Sequence, residues 1–334
     1  NNVGKTALLE AIFLLKSLNA YEIPFQLNFN RGVFQQQNFD VEEVCEWLFY
    51  NKQVSKAIKI KIVDENNEES ELILSLNKAL SPRLFPLSPR ANSRKTIKDL
   101  KLEFKKTGQK LLEFTTFLTP DQEERKRMRI EIEIQQDEVQ EAREIEVFPP
   151  SIFLSSYLRV SPTEDAEIFS QFEAINKQNE IIEILKIIEP RLKRLAVLVT
   201  GGAPMIHGDI GADYLIPVSL MGEGMGRLLS IILSIMNAQE GIVLIDEIEN
   251  GIHHSIMEKV WQSIAVATRK SKTQLFATTH SYECIRAAHK AFSNSELYDF
   301  RYFRLEREKE TNIIKVSIQL ARCQLSATRL SHIG

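Results

Sequence analysis

An apolar run at residues 241–245 (Gly-Ile-Val-Leu-Ile) ends at two adjacent acids, Asp246 and Glu247. A short run without polar residues predicts a strand that is buried on both faces, as in a parallel sheet covered by helices. Residues 274–278 show a similar pattern. Helical patterns at residues 222–237, 255–267 and 282–291 alternate with these two strands. The sequence therefore predicts an α/β fold in which helices flank a sheet.

A Gly-Lys-Thr sequence stands close to the N-terminus, where an apolar helical pattern begins. It matches the end of the pattern G-x-x-x-x-G-K-[ST], in which backbone N–H groups at a helix N-terminus hold phosphate oxygens. Lys5 would then reach the β- and γ-phosphates, and the Thr6 hydroxyl would hold Mg²⁺. The predicted ATP-binding loop comprises Asn1, Asn2, Gly4, Lys5, Thr6 and Ala7. Because the chain opens inside this pattern, we expect its first glycine and the preceding strand to lie ahead of residue 1.

The two acids after the apolar run supply chemistry that complements a phosphate loop. A buried strand that ends in this way is a Walker B arrangement. Asp246 would anchor Mg²⁺, and Glu247 would polarise the attacking water as a general base. The alternative is that both acids only stabilise the N-terminus of a following helix. Together with the Gly-Lys-Thr sequence, the acids predict ATP and Mg²⁺ as cofactors.

Two further segments are candidates for contact with phosphate. His280 follows the strand at residues 274–278, where an imidazole can bind a γ-phosphate and sense its presence; a lone histidine is otherwise more often structural. Ser219, Gly222 and Gly224 precede a helix, and small residues there allow close approach of the backbone to an anion. The alternative for this second segment is an ordinary flexible loop.

In their order along the chain, the segments N-N-V-G-K-T, S-L-M-G-E-G, L-I-D-E-I-E-N-G-I-H and T-T-H-S resemble the ABC ATPase superfamily. The sequence is most similar to the SMC/RecF/OLD-like branch, which includes stand-alone AAA-type ATPases of bacterial phage-defence operons. The resemblance covers residues 1–20 and about 147–305. It implies a P-loop NTPase fold of the ABC ATPase head type. It also implies an ATPase that hydrolyses ATP between two copies of the chain.

Composite sites of this kind imply a homodimer held together by ATP. One subunit would supply Lys5, Thr6, Asp246, Glu247 and His280, whereas Ser219, Gly222 and Gly224 of the other subunit would contact the γ-phosphate. Glu249, Asn250 and His253 fall where the family has its D-loop, at the dimer contact. The Ser-Leu-Met-Gly sequence departs from the Ser-Gly-Gly-Gln signature of transporters. The Q-loop has no clear counterpart, and residues 155–159 are its nearest candidate.

The chain divides into an ATPase core, at residues 1–20 and 147–320, and a mainly β inserted lobe at residues 21–146. Residues 321–334 are expected to form an irregular end. Period-two alternation predicts strands in the lobe at residues 57–63, 71–76, 100–105, 111–117 and 129–134. Elsewhere we expect a mobile loop over residues 81–98, a long helical stretch over residues 163–198 interrupted at Pro190, and strands at residues 152–155, 214–218, 301–305 and 313–318.

Charge and composition limit the possible partners. The net charge is only −3, so a basic surface for DNA or RNA would have to be local. Residues 81–110 contain nine Lys or Arg and two acids, which suits phosphate backbones or, alternatively, a solvated loop. Three widely separated cysteines favour a cytoplasmic protein, and the absence of a long apolar run predicts no membrane segment.

We therefore expect an ATPase that gates a nucleic-acid-linked activity, in defence or repair, of a partner protein. The segment after His280 is too short for the nuclease domain of OLD-type proteins, so a separate effector such as a nuclease is expected. One alternative is an ATPase subunit that drives a membrane transporter. The other is a scaffold that senses ATP without hydrolysing it, although such a scaffold has no need of Glu247.

Overall fold

The computed structural model of the chain describes residues 4–16, 26–28, 31–32, 45–63, 67–80, 96–118, 130–132, 149–156, 160–295, 297–308 and 314–319. The chain forms two compact units. One combines residues 1–13 with residues 149–334 and is called the discontinuous unit below. The other spans residues 14–148 and is called the continuous unit. Helix α1 (Lys5–Lys16) begins in the discontinuous unit and ends in the continuous unit.

The continuous unit contains an antiparallel sheet whose five strands are neighbours in chain order. Its strands are β1 (Ile58–Val63), β2 (Glu69–Leu80), β3 (Thr96–Lys106), β4 (Gln109–Leu118) and β5 (Ile130–Ile132). Leu72 of β2 lies between Ile60 of β1 and Phe104 of β3, and both Leu72 and Phe104 are buried. The charged residues alternate with these and occupy the opposite face. The mainly β lobe predicted from the sequence is confirmed.

The prediction of a mobile loop over residues 81–98 is wrong at its end. Residues 96–98 begin β3, where Thr96 pairs with Leu80 of β2, so the strand starts earlier than its apolar alternation indicates. Main-chain pairing with a long neighbouring strand extends the sheet beyond the alternating segment. The rest of the predicted loop, residues 81–95, and the last predicted segment, residues 321–334, lie outside the described residues.

The central sheet of the discontinuous unit is parallel, with the strand order β11-β10-β6. Its strands are β6 (Ser151–Leu154), β10 (Ile242–Ile245) and β11 (Gln274–Ala277). Strand β10 is buried along its whole length, as its apolar sequence predicts. Ile245 of β10 pairs with Leu154 of β6 and with Ala277 of β11, so all three strands end at the same level.

Helices follow the strands of this unit. They are α2 (Pro162–Ala174), α3 (Gln178–Leu185), α4 (Glu223–Asn237), α5 (Met257–Ser271) and α6 (Tyr282–Ser293). Leu228 and Ile232 of α4 are fully buried in one apolar core with Val243 of β10 and Ile264 of α5. The predicted α/β fold with helices flanking the sheet is confirmed. No helix among the described residues has the length and apolarity needed to cross a membrane.

The helical stretch predicted over residues 163–198 is confirmed as far as Leu185 and is wrong after that residue. The stretch is divided into two helices. Asn176, which has a φ of +58°, lies between the end of α2 and the start of α3. The chain then forms an antiparallel sheet of β7 (Arg194–Thr200), β8 (Ala203–Asp209) and β9 (Ile216–Pro217). Gly201 and Gly202 both have positive φ and join β7 to β8 as a two-residue hairpin turn. In the sequence, the pair of glycines between two strand-like segments was the signal that could have identified this hairpin.

The remaining elements differ only in extent from those expected. The strand predicted at residues 214–218 is reduced to β9, because the chain turns into a 3₁₀ helix, Val218–Leu220, directly afterwards. Two strands near the C-terminus form an antiparallel pair, β12 (Tyr302–Arg307) and β13 (Ile314–Gln319). Both of these strands were expected from the sequence.

Candidate functional site

The shared end of the parallel strands gathers polar residues from three distant parts of the chain. Ser156 follows β6, Asp246 and Glu247 follow β10, and Thr278 follows β11. The N–H group of Asp246 donates to the Leu154 carbonyl at 2.9 Å, and the N–H of Thr278 donates to the Ile245 carbonyl at 2.9 Å. The ladder hydrogen bonds therefore continue past the strands and bring these side chains to one edge of the sheet.

Helix α1 begins directly after a glycine whose backbone is left-handed. Gly4 has a φ of +74°, and the N–H group of Leu8 donates to its carbonyl at 3.0 Å. A Cβ atom at Gly4 would lie 2.6 Å from the Ile314 side chain, so both the backbone angle and the space favour glycine. The N–H groups of Lys5, Thr6 and Ala7 lie in the first helical turn, where they lack carbonyl partners within the helix. Such a turn is suited to bind an anion.

The Lys5 ammonium group reaches from α1 to the end of β11. Its Nζ atom donates to the Thr279 carbonyl at 2.7 Å and lies 3.0 Å from Nδ1 of His280. Burial lowers the pKa of Lys5, and the nearby carboxylates of Glu249, Glu247 and Asp246 oppose that shift. Because an ammonium group can only donate, Nδ1 of His280 accepts, and the ring proton belongs on Nε2.

Asp246 is 4% exposed and is surrounded by hydroxyl groups. Thr6 donates to its two carboxylate oxygens at 3.1 and 3.0 Å, Ser156 at 3.0 Å, and Thr278 at 2.6 Å. Oxygen ligands of this kind fit Mg²⁺, which usually takes one or two protein ligands together with water and phosphate. Within the described ranges, no three His, Cys, Asp or Glu residues form a metal-binding group. A metal ion between Thr6 and Asp246 would therefore need ligands from phosphate and water.

Glu247 is held in a strained position beside His280. Its φ of +50° is uncommon for a residue other than glycine and costs on the order of 1 kcal/mol. Its N–H group donates to the Thr278 hydroxyl at 2.9 Å, and its carboxylate accepts from the Asn250 amide at 2.8 Å. Nε2 of His280 lies 3.6 Å from the same carboxylate. Strain of this kind is typical of functional sites, where surrounding contacts maintain it.

The structure therefore brings together the candidate residues that one subunit was expected to supply. Those residues are Lys5, Thr6, Asp246, Glu247 and His280. Asn1 and Asn2 lie outside the described residues. Sequence analysis assigned no role to Thr278, and Ser156 was only part of the Q-loop candidate. Both are hydroxyl residues placed directly after the strands that flank β10, and this position was the signal that could have identified them.

The three small residues of the other candidate segment lie around the start of α4. Ser219 lies in the 3₁₀ helix, Gly222 has a φ of +125°, and a Cβ atom at Gly224 would lie 2.7 Å from the Ile256 side chain. No hydrogen bond among the described residues joins this segment to Lys5 or the Walker B acids. Within the part of the chain that the structure describes, the two candidate segments therefore share no direct hydrogen bond.

Ser219 borders a cavity of about 570 Å³ within the discontinuous unit. Ser156 and Asn250, which contact Asp246 and Glu247 respectively, also line it. Asp165 of α2 is buried at its wall, where Ser230 donates to it at 2.6 Å. Burial raises the pKa of Asp165 from 3.8 to about 6.

The basic residues of the continuous unit are arranged differently. Lys105 lies 3.0 Å from Glu103, and Lys106 lies 3.3 Å from Glu68. These lysines therefore already have acidic neighbours on or beside their own sheet. Of the nine basic residues at positions 81–110, four precede residue 96 and lie outside the described residues.

Comparison with known proteins gives a family match over most of the chain. A family model described as "AAA domain, putative AbiEii toxin, Type IV TA system" matches residues 1–286. A Helicobacter pylori (strain ATCC 700392 / 26695) protein named "ATP/GTP phosphatase" is 21% identical over 318 residues. That alignment covers 85% of this chain and 78% of the Helicobacter protein.

Solved structures of SMC heads also align with the chain. An SMC head bound to the C-winged helix domain of ScpA aligns with a TM-score of 0.45 and 11% identity. The alignment covers 96% of this chain and 87% of that one. The SMC head domain from Thermotoga maritima aligns with a TM-score of 0.32 and 12% identity, over 70% of this chain and 77% of that one.

Proposed function

Since the chain belongs to this AAA-domain family and is a P-loop ATPase, we propose that it hydrolyses ATP at the edge of its parallel sheet. The observation that carries the proposal is the meeting of α1 with the ends of β10 and β11. Lys5 contacts His280, 275 residues away, and Thr6 contacts Asp246, 240 residues away. Structural stability alone does not require a lysine, two acids and a histidine at one edge.

The residues at the start of α1 would bind the phosphates of ATP. The first-turn N–H groups and the Lys5 ammonium group provide donors and positive charge for phosphate oxygens. Thr6 and Asp246 would hold Mg²⁺ between them, replacing their present hydrogen bonds with metal–oxygen contacts. Mg²⁺, when bound, neutralises negative charge on the phosphates.

Glu247 would act as the general base. Its carboxylate accepts a hydrogen bond from the Asn250 amide and lies beside Nε2 of His280, and these two contacts orient it. It would accept the proton of the attacking water, while Nε2–H of His280 donates towards the reacting phosphate. Because Lys5 holds Nδ1, the His280 tautomer is already the one that donates through Nε2.

A composite site would supply the residues that one chain leaves apart. Ser219, Gly222 and Gly224 would contact the γ-phosphate held by a second copy, which gives a homodimer that forms on ATP binding. The proposal is supported by the sequence resemblance and by the absence, among the described residues, of a hydrogen bond from this segment to Lys5 or to the two acids after β10. Dimerisation is measured by sedimentation velocity of the Glu247→Gln variant, which should bind ATP without hydrolysing it. We expect a dimer with MgATP and a monomer without it.

The experiment that tests hydrolysis is ATP turnover of the protein and of Glu247→Gln, with Glu240→Gln as the matched control. Glu240 is exposed and pairs with Lys272 at 3.0 Å. We expect Glu247→Gln to lower turnover by about 10²- to 10⁴-fold, the usual contribution of a general base, while ATP still binds. The control should retain full turnover. A Glu247→Gln variant as active as the control would exclude the assigned base.

Hydrolysis would gate a nucleic-acid-linked activity, in defence or repair, of a separate effector such as a nuclease. This part is supported by the sequence resemblance to the SMC/RecF/OLD-like branch. It is tested by measuring turnover with and without double-stranded DNA. An increase with DNA supports a nucleic-acid trigger, whereas turnover indifferent to DNA and RNA would direct the search to a protein partner.

A further inference from the structure

Glu249 lies two residues after the proposed base, and its side chain turns back into its own unit. Its Oε1 atom accepts a hydrogen bond from the backbone N–H of His280 at 2.7 Å. Its Oε2 atom is buried and has no hydrogen-bond partner among the described residues. A buried carboxylate oxygen without a partner is costly, so its retention calls for an explanation.

The backbone between Glu247 and Glu249 explains why the Glu249 side chain faces inwards. Ile248 is fully buried, and its N–H group donates to the Thr278 carbonyl at 3.0 Å. The N–H group of Asn250 donates to the Glu247 carbonyl at 2.9 Å, which closes a tight turn. This turn and the anchored Ile248 leave Glu249 beside the segment that follows β11. The hydrogen bond to His280 is therefore built into the fold of the segment.

The contact ties the Glu249 carboxylate to the backbone of His280, and the ring of His280 is part of the candidate site. The ring of His280 contacts Lys5 through Nδ1 and faces Glu247 through Nε2. A hydrogen bond to a charged acceptor is roughly twice as strong as one between neutral groups. Fixing the His280 backbone therefore fixes the point from which the ring extends, and the ring itself lies between Lys5 and Glu247. Burial lowers the pKa of Lys5, and three nearby acids oppose this shift. Glu249 has the largest effect of the three.

We propose that Glu249 is a positioning residue, which holds the His280 backbone so that the imidazole stays between Lys5 and Glu247. This inference rests on the proposed ATP hydrolysis and deepens it. It assigns Glu249 to the site of its own subunit, whereas the resemblance implies a place at the contact with a second copy. Glu249 acts through His280 and need not touch the nucleotide.

The contact itself is tested without turnover, by NMR of protein labelled with ¹⁵N-histidine. His280→Gln identifies the His280 amide signal, because that signal disappears in the variant. We expect Glu249→Ala to shift the His280 amide proton upfield, since the charged acceptor is lost. Glu258→Gln is the matched control. The Glu258 carboxylate lies 2.6 Å from the Lys290 ammonium group, so it has a partner other than His280. An unmoved His280 amide in Glu249→Ala would overturn the proposal.

The role in the reaction is tested by a double-mutant cycle between positions 249 and 280. We expect Glu249→Ala to lower kcat roughly tenfold in the presence of His280, but less than about twofold in the His280→Ala background, with an unchanged KM for ATP. Glu249→Gln keeps an acceptor oxygen and should recover most of kcat. It also provides a folded variant if Glu249→Ala is unstable.

The outcomes separate this proposal from the proposed function. Equal losses of kcat in both backgrounds would overturn the positioning role. Loss of the ATP-dependent dimer in Glu249→Ala with the His280 amide unmoved would place Glu249 at the contact between copies instead. If the wild-type protein does not turn over ATP, the proposed function fails, and the NMR measurement still decides whether Glu249 holds His280.

Discussion

The two units of the chain both carry many charged residues, but they arrange them in opposite ways. In the discontinuous unit, Lys5 meets Asp246, Glu247 and His280 at one edge of the sheet, across more than 240 residues of sequence. In the continuous unit, charged side chains alternate with apolar ones along β1 and over residues 100–105 of β3, and lysines pair with acids of the same sheet, as Lys61 does with Glu69.

Under the proposed function, this difference separates charges that would take part in the reaction from charges that keep a sheet face in water. Convergent charges must lose hydration and are held by many contacts, so each substitution there is expected to be costly. Charges on an alternating strand stay solvated, and exposed ion pairs contribute little. The number of lysines in a segment therefore indicates less about function than the contacts of each lysine. A lysine that contacts residues from distant parts of the sequence is the better indicator of a functional site.

The sharpest test of the comparison removes one lysine from each unit. We expect Lys5→Ala to lower kcat/KM for ATP by about 10²- to 10³-fold, because a donor to the phosphates is lost. Lys105→Ala, which removes a lysine near Glu103, should leave turnover unchanged. Steady-state ATPase assays with both variants measure this. A comparable loss in Lys105→Ala would show that the continuous unit takes part in the reaction.

A smaller effect is expected from the hydroxyl groups around Asp246. Thr278→Val removes a donor to Asp246 and the acceptor for the Glu247 N–H group. We expect turnover to fall about 10- to 100-fold, as for residues that orient metal ligands, and Thr278→Ser to restore it. Ser75→Ala in the continuous unit removes a hydroxyl with no such contact and is the control. Equal activity of the valine and serine variants would contradict this role for the hydroxyl.

A third test concerns stability and the buried carboxyl group of Asp165. Burial raises its pKa from 3.8 to about 6, so the folded protein binds this proton more tightly than the unfolded chain does. The free energy of unfolding should therefore fall as the pH rises from about 4 to 6, by roughly 3 kcal/mol for this group.

Urea unfolding of wild type and Asp165→Asn between pH 4 and pH 7 measures that contribution as the difference between two curves. Wild type should lose stability relative to the variant as the pH rises, because only wild type has a carboxyl group to ionise at this position. Curves that stay parallel across the range would show that Asp165 is not perturbed in the folded state.

The smallest effect is expected in the continuous unit. Lys61 and Glu69 form an ion pair in which the side chains are 53% and 43% exposed. A double-mutant cycle of Lys61→Gln and Glu69→Gln should give a coupling energy of about 0.2–1 kcal/mol in urea unfolding, decreasing with salt. A coupling of several kcal/mol would show that this sheet face is shielded from water and would weaken the comparison between the units.

The sequence predicted the local elements wherever one periodicity dominated. The apolar run of β10 and the alternation of β1 each favour one conformation, because the sequence pattern and the burial agree along the whole segment. Residues 194–198, at the end of the predicted helical stretch, were misassigned because Leu195 and Val197 fit both a helix and a strand, and pairing with β8 decided the outcome. Local propensity could not include that partner strand.

For the site, the sequence by itself determined which chemical groups are present and that they come in the order of a P-loop ATPase. Gly4, Lys5, Thr6, Asp246 and Glu247 follow from motif spacing, since the chemistry needs those residue types next to a helix start and a strand end. The tertiary structure alone decided which side chains meet. The register of β6, β10 and β11 places Ser156 and Thr278 against Asp246, and the turn after Glu247 directs Glu249 to His280. Contacts between residues far apart in sequence depend on sheet register and packing, which no local pattern encodes.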